Sequence, residues 1–105
     1  MSQQLVFKIE FCFSKKQRMK FISHLDLMRL FVRAFRRADL PLKLTEGFSP
    51  HPKFSIQKAL KLGLESESEL AVVALRNLVR PDDFTRRLQA QLRAGITIVS
   101  AGFAE

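Results

Sequence analysis

The chain has 105 residues, which is the length of one small domain with a single hydrophobic core and no room for a second catalytic domain. Apolar residues make up 47% and charged residues 27%, so the composition is that of a folded globular domain. Its single cysteine, Cys12, excludes an internal disulfide and a cysteine-based metal site.

The net charge of +8 is concentrated in the first half of the chain. Residues 1–53 carry 11 basic and 4 acidic side chains, a net of +7, whereas residues 54–105 carry 7 and 6, a net of +1. This concentration favours an anionic partner, such as RNA or an acidic protein surface, over a generic solubilising surface. The chain start lacks signal-peptide character and no apolar run reaches membrane-spanning length, so we expect a cytoplasmic location without a membrane partner.

Over residues 5–13, apolar side chains at the odd positions alternate strictly with a mixed set at the even positions. This pattern predicts a strand with one face on the core. Cys12 falls on its less apolar face, where a small buried or half-buried side chain is expected. The following residues, 14–20, are interpreted as a polar connection with four cations: Lys15, Lys16, Arg18 and Lys20.

The next segment predicts a helix from Ser23 to Ala38, because Ser23 and Asp26 have the spacing of a capping box. Seven positions fill one apolar arc of roughly 160°: Leu27, Met28, Phe31, Val32, Ala34, Phe35 and Ala38. The opposite arc carries four arginines, here called the arginine stripe: Arg29, Arg33, Arg36 and Arg37.

Short strands are predicted at residues 42–45 and 54–56, separated by a proline-stiffened loop. Pro50 and Pro52 bracket a histidine and are expected to prevent regular pairing there. The loop is interpreted either as a stiff connector or as a display of side chains for binding. Its motif consists of Gly47, Phe48, Ser49, Pro50, His51, Pro52 and Lys53.

The remaining segments complete an α+β pattern. Residues 70–75 are apolar on both faces and predict a central strand. Pro81 starts a second helix, which Gly95 is expected to end, and residues 96–99 form a last strand. Residues 59–64 are ambiguous between strand and turn.

The resulting order, βαβ(β)βαβ, predicts a ferredoxin-like split β-α-β sandwich with one extra short strand or hairpin in the middle. Its antiparallel sheet would have two helices on one face. The other face would be open, or covered by the inserted loop or a partner, and a homodimer is one alternative.

The arginine stripe could grip an RNA backbone, because arginine forms bidentate bonds to phosphate and stacks on bases. The four cations of residues 14–20 could extend this surface, and Lys53 adds a further candidate. The alternative is a solvated helix face on which Asp26 pairs with Arg29 or Arg33.

The two histidines, His24 and His51, could cleave RNA without a metal only if both reached one site. His24, however, falls near the centre of the apolar arc of the first helix, where a packed, hydrogen-bonded histidine is expected. The spacing of potential ligands fits no zinc-type site, so no metal is predicted.

Four segments resemble a known domain family. They are RMKFISHLDLMR at residues 18–29, ADLPL at 38–42, GFSPHPK at 47–53 and LGLESE at 62–67. They are similar to the uncharacterised family linked to radical SAM proteins, whose domain is fused behind or encoded beside a B12-binding radical SAM protein. The resemblance carries over to these positions: His24, Asp26, Arg29, Gly47, Pro50, His51, Pro52 and Lys53.

The resemblance implies that an iron–sulfur cluster, S-adenosylmethionine and cobalamin belong to the neighbouring enzyme, since one cysteine cannot hold a cluster. Residues 1–105 form one domain, and the family domain is longer, which leaves open that this chain is its N-terminal half. We expect a non-enzymatic accessory domain that binds tRNA or rRNA for that enzyme. The alternatives are a protein-interaction module docking on the radical SAM enzyme and a metal-independent endoribonuclease.

Overall fold

A computed structural model describes residues 7–57 and 66–104. The strands are β1 (Phe7–Lys15), β2 (Phe54–Ile56), β3 (Ser66–Leu75) and β4 (Ile96–Phe103), the helices are α1 (His24–Arg37) and α2 (Pro81–Gln89), and a 3-10 helix covers Gln17–Phe21. The ambiguous segment 59–64 and most of the LGLESE block lie outside the described residues.

The four strands form one antiparallel sheet in the order β2-β3-β1-β4. Phe7 of β1 lies opposite Leu75 of β3, and Ile9 lies opposite Phe103 of β4. With one helix after β1 and one after β3, this is the predicted ferredoxin-like arrangement. The segment expected to be a central strand is indeed central, because β3 lies between β2 and β1.

Both helices cover the same face of the sheet, as predicted. The alternate β1 residues Ile9, Phe11 and Phe13 are fully buried on this face. The ring of Phe11 lies 5.6 Å from that of Phe31 in α1 and 5.4 Å from that of Phe84 in α2. Apolar burial of this kind is the main stabilising contribution to a small domain.

The start of the basic connection differs from the prediction, because β1 continues to Lys15 and a 3-10 helix follows. Lys15 pairs with Ser66 on one side and with Ile96 on the other, so the sheet extends past the expected strand end at residue 13. The side chain of Lys15 is buried. Lys15 therefore does not belong to the exposed cations of residues 14–20, with which the sequence analysis grouped it.

The second helix ends at Gln89, six residues earlier than the expected stop at Gly95. The Gln89 side chain donates to the Ile96 carbonyl (3.1 Å) and accepts from the Ile98 amide (2.7 Å). It thereby satisfies backbone groups of β4, an edge strand of the sheet. Gly95 instead takes a positive φ of 98° in the turn that enters β4.

The segment between α1 and β2 folds back on itself as a short hairpin over residues 42–53, which is the predicted insertion. The Thr45 amide donates to the His51 carbonyl (2.8 Å), and Leu44 pairs with Pro52. As predicted, no regular strand pairing forms over residues 47–53: Pro52 takes part only in an isolated bridge, at a non-hydrogen-bonded position where it needs no N–H.

One arginine of α2 joins the two helices. Arg87 donates to the Ala38 carbonyl at 3.1 and 2.8 Å and to the Asp39 carbonyl at 2.6 Å, just past the end of α1. These bonds satisfy carbonyls that a helix leaves unpaired at its C-terminus and place a positive charge where the helix dipole favours it.

Candidate nucleic-acid interface

A groove of about 420 Å³ lies between α1, the 3-10 helix and the turn that follows α2. Four arginines from these three parts of the chain line it, and we call it the arginine groove: Arg18, Arg33, Arg37 and Arg93. Asp26 is the only acidic side chain among the described residues that line it. The groove therefore gathers cations that lie far apart in the sequence.

The arginines of the groove are available to a ligand. Within residues 7–57 and 66–104, none of the four forms an ion pair. The arginines of α2 differ, because Arg86 and Arg87 both contact Asp83. Free guanidinium groups can bind phosphate with two parallel hydrogen bonds, so the groove offers a surface suited to a phosphate backbone.

Two of the four arginines in the predicted arginine stripe line the groove. Arg33 and Arg37 lie about 40° apart at 100° per residue and line the groove. Arg29 and Arg36 lie on the outermost side and are exposed. Arg29 contacts Asp26 at 3.7 Å, as the solvated-face alternative expected, and such an exposed pair contributes only about 0–1 kcal/mol.

The start of α1 is capped as predicted. The Ser23 hydroxyl oxygen accepts a hydrogen bond from the Asp26 amide at 3.1 Å. Ile22, just before the cap, packs against the core. These contacts fix the N-terminal end of α1 relative to the 3-10 helix, and therefore fix one wall of the groove.

The other wall depends on a close approach at Gly95. The Lys16 amide donates to the Gly95 carbonyl at 2.8 Å. A Cβ added at Gly95 would lie 2.6 Å from the Lys16 carbonyl oxygen and 2.9 Å from Cγ of Met19. Only glycine fits this contact, which brings the turn carrying Arg93 against the 3-10 helix.

An exposed aromatic ring accompanies the arginines. Phe21 lines the groove and is 60% exposed, and the Lys20 ammonium lies 5.1 Å from the centre of its ring. Aromatic rings beside cations are typical of surfaces that bind single-stranded nucleic acid, because bases stack on the ring. Sequence reasoning selected neither Phe21 nor Arg93 as a site residue.

Lys53 lies away from the arginine groove. With Lys8 and Val72 it lines a depression on the sheet face that no described helix covers. Cys12 lies on the same face, half-buried beside Leu70 and Ser100, which agrees with its expected position. The predicted set of cations is therefore divided between the two sides of the molecule.

The two histidines lie at opposite ends of the fold. His24 begins α1 near the end of β1, whereas His51 lies in the hairpin, which follows α1. The 14 residues of α1 span roughly 21 Å at 1.5 Å per residue. His24 is also exposed, so the expectation of a packed histidine is wrong. The structure does not bring the proposed acid and base together.

His51 is held by its own hairpin. Its Nδ1 lies 3.1 Å from the Ser49 carbonyl oxygen and 3.3 Å from the Thr45 hydroxyl. The backbone amide of His51 also donates to that hydroxyl at 3.1 Å. Phe48, at the hairpin tip, is fully exposed. The loop motif therefore forms a defined exposed structure.

Residues 7–57 and 66–104 contain neither a cluster of metal ligands nor a membrane-spanning helix. No group of three or more His, Cys, Asp or Glu side chains lies close enough together there to hold a metal ion. None of the helices described is long and apolar enough to cross a membrane.

Residues 8–105 match a family model described as "Uncharacterized protein conserved in bacteria (DUF2344)", so the chain belongs to this family. No curated protein and no solved structure matches the chain. The family description names no substrate or reaction, and function is therefore inferred from the groove and the hairpin.

Proposed function

We propose that this member of the bacterial family is a non-enzymatic domain that binds RNA, such as tRNA or rRNA, in its arginine groove for a partner enzyme. The observation that carries the proposal is the gathering of four arginines, none of them in an ion pair with a described residue, in one groove beside the exposed ring of Phe21. Phosphate neutralisation by arginine supplies affinity, and an aromatic ring supplies a stacking surface.

The distribution of charge over the fold supports the same function. The helical side of the sheet carries the groove and the outward-facing Arg29 and Arg36. In α2, by contrast, Asp82 and Asp83 balance the charges of Arg86 and Arg87, and Asp83 contacts both arginines. Of the two described helices, α1 therefore carries the larger net positive charge, which a long polyanion can contact.

The proposed partner is a B12-binding radical SAM enzyme in the cytoplasm. This proposal is supported by the resemblance of residues 18–29 and 47–53 to domains linked to such enzymes. An iron–sulfur cluster, S-adenosylmethionine and cobalamin would belong to the partner. The domain would present RNA to it.

The test is the salt dependence of binding to bulk tRNA, measured by fluorescence anisotropy. Arg33 and Arg93, from opposite walls of the groove, are both changed to Ala. Because each phosphate contact contributes about 0.7–0.9 to the slope of log affinity against log salt, the double variant should lose about 1.4–1.8 in slope. Its affinity at near-physiological salt should also fall.

The matched control changes Lys8 and Arg80 to Ala, two exposed cations outside the groove, and removes the same net charge. Its slope should stay close to that of the unchanged protein. Equal losses in both variants, or no salt-dependent RNA binding, would reject the proposal. Nuclease-resistant co-purification with a radical SAM enzyme, without RNA affinity, would then establish the docking alternative.

A further inference from the structure

The hairpin tip presents an aromatic ring in a stiff frame. Phe48 is fully exposed, next to Gly47, whose φ is 128° and which has no atom near the position of a missing Cβ. Pro50 and Pro52 restrict the returning strand of the hairpin. A large apolar side chain held in water by a stiff loop loses little conformational entropy on binding, so this ring is suited to a stacking contact.

The base of the hairpin is joined to the end of β3. The Lys43 amide donates to the Ala74 carbonyl at 3.0 Å, and the Ala74 amide donates to the Lys53 carbonyl at 2.9 Å. The Arg76 side chain donates to the Leu42 carbonyl at 3.1 Å. The tip is thus fixed in position relative to the sheet.

The bonds of His51 determine which of its ring nitrogens carries the proton in the neutral form. Nδ1 lies 3.1 Å from the carbonyl oxygen of Ser49, and a carbonyl can only accept a hydrogen bond. Nδ1 is therefore the donor, and Nε2 keeps its lone pair. The Thr45 hydroxyl, 3.3 Å from Nδ1, supports the same ring orientation. His51 consequently offers Nε2 as a hydrogen-bond acceptor in the same hairpin that carries Phe48.

We propose that the hairpin tip binds one unpaired nucleotide of an RNA, with Phe48 stacked on the base and Nε2 of His51 accepting a hydrogen bond from a base amino group or a ribose 2′-hydroxyl. This inference rests on the proposed RNA-binding function and names its substrate class as RNA with accessible unpaired bases. A base inside a duplex is stacked on both sides, whereas an unpaired base can stack on an aromatic ring and use its free edge.

The position of the hairpin suits this role. It follows directly on the C-terminal end of α1, where Arg36 and Arg37 lie. An RNA backbone that follows the arginine groove towards this end of α1 approaches the hairpin. The groove would supply affinity for phosphate, and the tip would select for an unpaired base.

The composition of the chain allows a direct optical test. The sequence contains no Trp and no Tyr, so Phe48→Trp introduces the only indole fluorophore. A single-stranded oligoribonucleotide of mixed sequence should quench this fluorescence, because the base stacks on the indole, and the same strand annealed to its complement should not. The control is Phe103→Trp, at another exposed phenylalanine, on the edge strand β4, where no quenching is expected.

Affinity measurements complete the test. Phe48→Ala should weaken binding of the single strand about tenfold and leave duplex binding unchanged. His51→Ala should weaken single-strand binding about fivefold, and Phe103→Ala should leave it unchanged. Salt-dependent RNA binding without quenching, or with unchanged affinity in Phe48→Ala, would overturn this inference and leave the proposed function intact. Absence of all RNA binding to the unchanged protein would overturn both.

Discussion

Phe35 packs where both helices meet the sheet. Its ring lies 4.9 Å from that of Phe54 in β2, 6.3 Å from that of Phe11 in β1 and 6.4 Å from that of Phe84 in α2. Such edge and tilted arrangements contribute to stability beyond the buried area alone. The loss of this one ring would therefore open a cavity bordered by three elements.

We predict that Phe35→Ala lowers the free energy of unfolding by about 3–5 kcal/mol, measured by chemical denaturation. The neighbouring Arg36→Ala is the control, because Arg36 is exposed, and should change it by no more than about 0.5 kcal/mol. Similar losses for the two variants would contradict the assigned faces of α1.

A second prediction concerns Gly95. Gly95→Ala requires a strained positive φ and also forces a Cβ to within 2.6 Å of the Lys16 carbonyl oxygen. Gly47→Ala is the matched control, because Gly47 also has a positive φ but has open space around it. Both variants should lose about 1–3 kcal/mol from backbone strain, measured by chemical denaturation, and Gly95→Ala should lose clearly more. Equal losses would show that the close approach to Lys16 contributes nothing.

At the scale of the elements, Asp83 connects α2 to α1 through Arg87. It lies in the first turn of α2, where the helix dipole stabilises a carboxylate, and it contacts Arg86 and Arg87. The hydrogen bond from Arg86 lowers the pKa of Asp83 below its usual value of 3.8, the charges of both arginines add to this, and desolvation opposes it. Asp83 thus helps to orient the Arg87 side chain that satisfies the end of α1.

The lowered pKa predicts a dependence of stability on pH. The carboxylate contributes its full stabilisation above the unfolded pKa near 3.8, and this is lost as the pH falls through the lower, folded pKa. Asp83→Asn should therefore lower the Tm at neutral pH, and the difference from the unchanged protein should disappear in acid. Asp82→Asn, at the adjacent position, should show a smaller difference at neutral pH. A difference for Asp83→Asn that persists undiminished in acid would contradict this prediction.

At the scale of the whole molecule, the course of the chain separates the two histidines. His24 and His51 lie near opposite ends of α1, so they cannot serve as acid and base on one phosphodiester. We predict that labelled RNA incubated with the domain in EDTA stays intact, as followed on a denaturing gel. Cleavage that disappeared in both His24→Ala and His51→Ala would contradict this separation.

The order of elements and the buried face of each were accessible from the sequence, because they follow from local patterns. Alternation assigned Ile9, Phe11 and Phe13 to one face of β1, and helical periodicity assigned Phe31 and Phe35 to the core face of α1. The Ser23 cap depends on side-chain chemistry within one turn. The split β-α-β topology followed from the order of these elements.

Only the three-dimensional fold determines which charged residues lie close together. It buried Lys15, placed two of the four arginines of the stripe in the groove, moved Lys53 to the sheet face and brought Arg93 to the groove. It also placed Arg87 on the end of α1. The physical reason is that these positions depend on contacts between segments distant in sequence, such as Gly95 against Lys16, whereas the sequence patterns report only neighbours within a turn or a strand.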